Sequence, residues 1–458
     1  MLIPSLLRLM LAVYLVAVLV TSGPCLAAEA RLLSNLPESG YATIEAIQGN
    51  YCKARPDHSP SHNCNFDAAK CRTTVEELWQ KMFGEKPSEE SLSQTCSQVS
   101  TKFEMPGAYR LLEGFYSEVL GAAPLVSLPK IEGIRLGSLP LREVNARVIP
   151  TKATETPIIL FNIRFFEFAS ELAKVSALPI PMRESGGTLV IDGSKEALEQ
   201  NLKSDRELLF LFINRLMHFL EIEGLKPAPP PKNIQPILVR YQEGTELFAF
   251  AHEYTHVALK HQGETALLEG IDVPAEVLGI SGEKADWIQE FEADYYGAKL
   301  VQIIFEHRTK ATNVHITDPL LWATPEFYFF ARELIDAALS ILGGEETLPG
   351  PSDQERKLFA VAESCIQTTG CDLRANLLDT KLKPVGHPHP EIRRNLVKIV
   401  LRRPSNQSET EVAMQALADK MLRNAEYLGE QVISGLRNPE MRELVNRARI
   451  ERTRGSAK

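Results

Sequence analysis

Past its first 27 residues, the chain contains no run of about 18 apolar residues free of charge, the shortest stretch that reads as a membrane-spanning helix. No integral membrane segment is therefore expected once the leader is removed. An excess of positive charge is also missing: 50 Lys and Arg stand against 59 Asp and Glu, for a net charge of −9. That balance repels polyanions, so neither nucleic acid nor an anionic membrane face is an expected partner. Histidine is scarce, 10 in 458 residues. In such a chain a His-Glu-x-x-His string should arise by accident in roughly one or two cases per hundred.

The apolar run the chain does have lies at the very start. Arg8 precedes Leu9 to Val20, 12 apolar residues, and Cys25-Leu26-Ala27 supplies small residues before Ala28. This order reads as a secretory signal at 1–27, cleaved near Ala27/Ala28, and the run is short of the roughly 20 residues needed to span a bilayer. The expected location is the periplasm or the exterior. Removal of Cys25 leaves six cysteines: Cys52, Cys64, Cys71, Cys96, Cys365 and Cys371. An even count in an exported chain reads as disulfides. Cys365 and Cys371 flank a Thr-Thr-Gly turn and are expected partners. The first four allow three pairings, and a rival reading makes Cys52, His58, His62, Cys64 and Cys71 a second metal site.

Composition, 44% hydrophobic and 24% charged, is that of a globular protein with material for a sizeable core. The expected class is α+β and mainly helical, with a small edge sheet. A cysteine-bearing region is assigned to 28–125, the main domain to 126–403 and C-terminal helices to 404–458. Val144 to Ile149 and Pro157 to Ile163 favour strand and are expected to form a hairpin, and Thr188 to Ile191 a further strand. Thr73–Phe83, Ala108–Leu120, Phe165–Val175, Lys195–Glu223, Glu283–His307 and Pro325–Leu342 have helical spacing.

The chemistry centres on Ala249 to Leu259, which reads His252-Glu253-Tyr254-Thr255-His256 inside a helical pattern. Residues four apart lie roughly 40° apart on a helix, so the two imidazoles share a face and can share one metal ion, usually zinc. Glu253 lies at the edge of that arc, where a carboxylate can take a proton from water held at an open metal position. Leu259 and Gln262 occupy the places where a metzincin needs Gly and His, so the third ligand must come from elsewhere. Gln289-Glu290-Phe291-Glu292-Ala293-Asp294 supplies it: Glu290 and Asp294 share a face, Glu290 as ligand and Asp294 as acceptor for the far nitrogen of a ligating His. Ala293, Gly297 and Ala298 allow this helix close to the first. Thr245 reads as the N-cap that opens the His252 helix. His261, on a continuing helix, points about 180° away from His252 and is expected on a solvated face.

These two strings, His-Glu-x-x-His and Glu-Phe-x-Ala-Asp, resemble the HtpX and CAAX-prenyl-protease group of glutamate-ligated zinc metallopeptidases. Asn145-Ala146 with Pro150 is similar to that group's Asn-Ala-x-x-x-Pro stretch, and His387-Pro388 with Arg393 to its late His-Pro-x-x-x-x-Arg. The resemblance implies a zincin-type fold, one Zn2+ per chain held by His252, His256 and Glu290, and Glu253 as general base. It also implies Asp294 behind the ligands, His387 and Arg393 beside the oxyanion, and substrate laid against an edge strand at Asn145 and Ala146. The activity the resemblance implies is hydrolysis of peptide bonds in envelope or secreted proteins, with a protein or peptide substrate as the partner. The alternative is a non-catalytic, chaperone-like binding module on the same scaffold.

Overall fold

A computed structural model describes residues 44–49, 68–139 and 146–149 with short gaps, 156–169 in part, 182–185, 188–191, 235–261, 287–312, 323–344, 350–382 nearly throughout, 388–401 and parts of 422–447. The described residues are mainly helical with little sheet, an α+β composition. The chain divides into two compact units, one built from Met1–Phe166 and Glu253–Ala285, the other from Glu167–His252 and Asp286–Lys458.

In the first unit, α1 (Ala68–Phe83), α2 (Glu89–Cys96) and α3 (Pro106–Ala122) precede a short sheet. Pro106 starts α3, where its missing N–H removes no helical bond. Its Tyr109, Leu112, Phe115, Tyr116 and Val119 recur at helical spacing and are buried. The sheet holds β1 (Arg135–Leu139), β2 (Ala146–Ile149) and β3 (Ile158–Asn162) in the order β1-β3-β2. β3 pairs parallel with β1 and antiparallel with β2, with Val148 opposite Ile159. The expected pairing of the 144–149 and 157–163 segments is thus present. Every residue of β1 and β3 is buried, the apolar run Ile158–Phe161 of β3 as such a run requires, and with it the polar Arg135, Ser138 and Asn162. Gly137 is needed here: a Cβ would stand 2.9 Å from both Ile44 Cγ2 and Leu160 Cδ2. Beside it, the buried Glu104 carboxylate accepts from the Ser138 N–H and hydroxyl and from Gln48, so its charge is spread over several donors.

The second unit contains the β4 (Met182–Ser185) and β5 (Thr188–Ile191) hairpin, which places the expected 188–191 strand and adds its partner. The helices follow: α4 (Gln235–Ala258), which belongs to this unit as far as His252, then α5 (Trp287–Thr312), α6 (Thr324–Leu342), α7 (Asp353–Gln367), α8 (Leu373–Asp379) and α9 (Pro390–Leu401). α7 starts with a full capping box between Ser352 and Glu355. α9 is basic on one side and apolar on the other. Ile392, Leu396, Val397 and Val400 are buried, while Arg394 and Lys398 meet Glu333 and Glu326 of the acidic α6. None of the described helices is long and apolar enough to cross a membrane.

Cys71 pairs with Cys96 and Cys365 with Cys371, their Cα atoms 5.8 and 5.3 Å apart. The second pairing is the expected one, and the first takes Cys71 out of the rival metal site. Cys52 and Cys64, the 195–223 segment and most of Phe165–Val175 lie outside the described residues.

One expected helix boundary fails outright. Thr245 does not open the His252 helix: α4 begins ten residues earlier, with Pro236 in its first turn. Thr245 lies inside it and donates its hydroxyl to the Tyr241 carbonyl one turn back, 2.9 Å away. Gly244, costing about 1 kcal/mol against Ala in a helix interior, is carried by burial of Tyr241, Leu247, Phe248 and Phe250.

Also inside α4, burial pushes the Glu246 carboxyl up to about 8; the Gln242 side-chain N–H works against that shift and Glu243 adds to it. Between about pH 4.5 and 8 the folded chain keeps a proton that the unfolded chain has released. Stability from this group therefore falls as pH rises through that window and levels off above it. Thermal midpoints of metal-free protein taken from pH 5 to 9 are expected to fall less steeply in Glu246→Gln than in the wild type; parallel slopes would contradict the assignment.

Candidate metal centre

α4 brings His252 and Glu253 to its last two turns, with His256 one turn further on the same face. α5 carries Glu290 in its first turn and Asp294 one turn later. His252, Glu253, Glu290 and Asp294 are buried and His256 is half-buried. His252, His256 and Glu290 offer ligand atoms that all lie within 4.8 Å of one another, so the three can hold a metal ion. The chemistry of the set fits. Ligands about 2.0–2.2 Å from a tetrahedral ion stand about 3.3–3.6 Å apart, and His252 Nε2 lies 3.5 Å from Glu290 Oε2.

A missing side chain makes this approach possible. A Cβ on Gly297 of α5 would stand 3.2 Å from the backbone nitrogen of His252 and 3.3 Å from its Cα. Asp294, with no solvent exposure, then sits with Oδ1 2.9 Å from His252 Nδ1. A carboxylate so close favours the tautomer with the proton on Nδ1, in which the Nε2 lone pair is the metal-binding one; Nε2 lies on the Glu290 side.

Arg393 of α9 completes the arrangement. Its Nε and one terminal nitrogen donate to the two oxygens of Asp294 at 2.7 and 2.8 Å, and the same terminal nitrogen is 3.1 Å from Glu290 Oε2. Its guanidinium lies 4.7 Å from the Phe329 ring centre. Burial pulls the Arg393 pKa down, but Asp294 and Glu290 outweigh it and the net shift is upward. Arg393 thus engages two carboxylates, one of them a candidate ligand. The chain matches no family model, no curated protein and no solved structure.

Other expected residues fall as follows. Ala146 is the first residue of β2, buried and opposite Phe161. Asn145 and His387 lie outside the described residues. His261 is misplaced by the sequence reading: it is buried, and its Nδ1 lies 3.0 Å from Nδ1 of His256. The reading assumed that the helix continued, whereas α4 stops at Ala258 and the chain turns back. The helical angle therefore no longer applied. Phe329, beneath Arg393, is not singled out by the sequence: spacing gives no sign of which ring meets a guanidinium.

Two substitutions probe this geometry. Gly297→Val puts branched carbon where even one methyl is tight, so stability should fall by about 1–3 kcal/mol despite valine's better helix propensity; urea unfolding measures it. Asp294→Asn removes the charged acceptor behind His252 and should weaken metal binding about 10–100-fold, read by chelator competition. Unchanged affinity would mean that the carboxylate does not orient the ring.

Proposed function

We propose that this protein is a zinc-dependent endopeptidase with a glutamate-ligated, zincin-type site, acting on envelope or secreted proteins. The observation that carries the reading is the convergence of His252, His256 and Glu290 within 4.8 Å, with Glu253 beside His252 on the same helix. Three protein ligands leave a tetrahedral ion one position for water, whereas a purely structural site closes all four. Zinc, when bound, acidifies a water and polarises a carbonyl as a Lewis acid.

The chain's own residues do the rest. His252 and His256 present one nitrogen each and Glu290 one oxygen. Glu253 accepts the water proton as the peptide carbonyl is attacked, then delivers it to the leaving amine. Asp294 holds the His252 ring, and Arg393 holds Asp294 and Glu290 in register. On the resemblance, His387 and Arg393 are the groups that steady the tetrahedral oxyanion. An extended substrate adding to the β2 edge, near Asn145 and Ala146, is the matching mode of peptide binding. Among the described residues β2 has one strand neighbour, β3, which supports that mode. The leader-like start and the paired cysteines support an oxidising compartment, periplasmic or exterior.

The test compares wild type and Glu253→Gln, both zinc-loaded, for metal content and for cleavage of a fluorescently labelled unfolded protein such as casein. The variant should keep its zinc and lose about 10²–10⁴-fold of the cleavage rate. Equal cleavage by the two proteins would end the endopeptidase reading and favour the binding-module alternative.

A further inference from the structure

The two ligating imidazoles are backed in different ways. His252 has the Asp294 carboxylate behind its Nδ1, while behind Nδ1 of His256 stands another imidazole, His261. The backbone explains how His261 gets there. α4 ends at Ala258, and Lys260 takes a left-handed conformation, φ 55°. The His261 N–H then donates to the His256 carbonyl at 2.9 Å, and the Lys260 N–H to the Val257 carbonyl at 3.1 Å. This pair of bonds, one spanning six residues and one spanning four, is the Schellman closure of a helix. Such a closure brings the residue after the left-handed one onto the last turn, against the residue five positions earlier. Here those two residues are His261 and His256, and their rings meet edge to face with centres 5.0 Å apart. A hydrophobic contact normally fills this position; in this chain a buried imidazole does.

We propose that His261 is a positioning residue for the metal centre, a neutral acceptor that fixes the tautomer and ring plane of His256. The inference rests on the metal-centre reading and not on peptidase activity. One hydrogen bond between two Nδ1 atoms needs one donor and one acceptor. Metal ligation through His256 Nε2 leaves its proton on Nδ1, so His256 donates. His261 must then accept at Nδ1 and carry its own proton on Nε2. A ring oriented in this way loses less freedom on binding metal, which is why partners behind ligating histidines strengthen affinity. The cap places His261, His261 sets His256, and the helix C-terminus thereby becomes part of the site.

The experiment measures zinc affinity by chelator competition, and the visible spectrum of the cobalt(II)-substituted protein, for wild type, His261→Ala and His261→Gln. The apo-protein thermal midpoint is recorded alongside. The Gln carbonyl can accept the same hydrogen bond, whereas Ala cannot. His261→Ala should bind zinc about 10–100-fold more weakly and show altered cobalt bands, and His261→Gln should recover most of the affinity and the wild-type bands. If His261→Ala binds zinc as tightly as wild type, the positioning role is wrong while the metal centre stands. If the two variants lose affinity together, in step with the apo midpoint, His261 is a packing residue only. A wild-type chain that binds neither zinc nor cobalt overturns this inference and the metal-centre reading together.

Discussion

Asp294 is the group on which the candidate metal centre depends. Its carboxylate is entirely out of solvent, with Arg393 gripping both oxygens and the His252 ring 2.9 Å from one of them. Removing a carboxylate from water costs several kcal/mol, and only close, well-aligned opposite charge and hydrogen bonds offset it. Here the offset comes from two other helices. The same contact therefore joins α4, α5 and α9 at a candidate metal ligand. Deleting one member of such a buried set typically costs about 3–5 kcal/mol, because the others are left charged and dry. Arg393 adds a second constraint by reaching Glu290 with the same terminal nitrogen, so ligand and outer carboxylate are fixed relative to each other.

The outer arrangement gives an unequal division of labour between the two imidazoles. His252 is held from α5, by a residue 42 positions away in sequence, through charge. His256 is held from its own helix end, by a residue five positions away, through a neutral contact that the cap geometry delivers. The first support needs tertiary packing, including the close approach at Gly297. The second needs only that α4 stop where it does, with a left-handed residue in the right place. Lys260 fills that place without glycine's freedom, at a cost of order 1–2 kcal/mol, which the two backbone bonds and the ring contact must repay.

What the sequence revealed followed the range of its rules. Helical periodicity placed His252 with His256 and Glu290 with Asp294, because four-residue spacing is a local property of one helix. The small residues on α5 pointed to a close crossing, since the space a Cβ needs is itself a local quantity. The 144–149 and 157–163 strands were legible from β-branched and aliphatic runs. Rules failed where a boundary decided the outcome. Thr245 looked like a cap because capping residues are rare inside helices, yet buried aromatics on either side extended α4 through it. His261 was assigned to water because the helix was continued past its end. The Arg393 contact spans 99 residues of sequence, beyond any periodicity, and only a family-like pattern singled that arginine out.

Charge at the centre explains why a divalent ion suits it. Among the named groups, Glu290 and Asp294 bring two negative charges in a buried setting, against the single positive charge of Arg393. Two neutral imidazoles leave that balance unchanged. An ion of charge two held by His252, His256 and Glu290 reverses it to one net positive, which Glu253, buried on the next position of α4, brings back to neutrality. With a monovalent ion the set stays negative, and a second arginine in place of the metal would have no open position for water. The donor types point the same way: two imidazole nitrogens and one carboxylate oxygen suit zinc and its transition-metal neighbours better than Mg2+ or Ca2+, which prefer all-oxygen shells. Arg393 thus does more than anchor α9. By cancelling one carboxylate it sets the charge that the three candidate ligands would present to an ion.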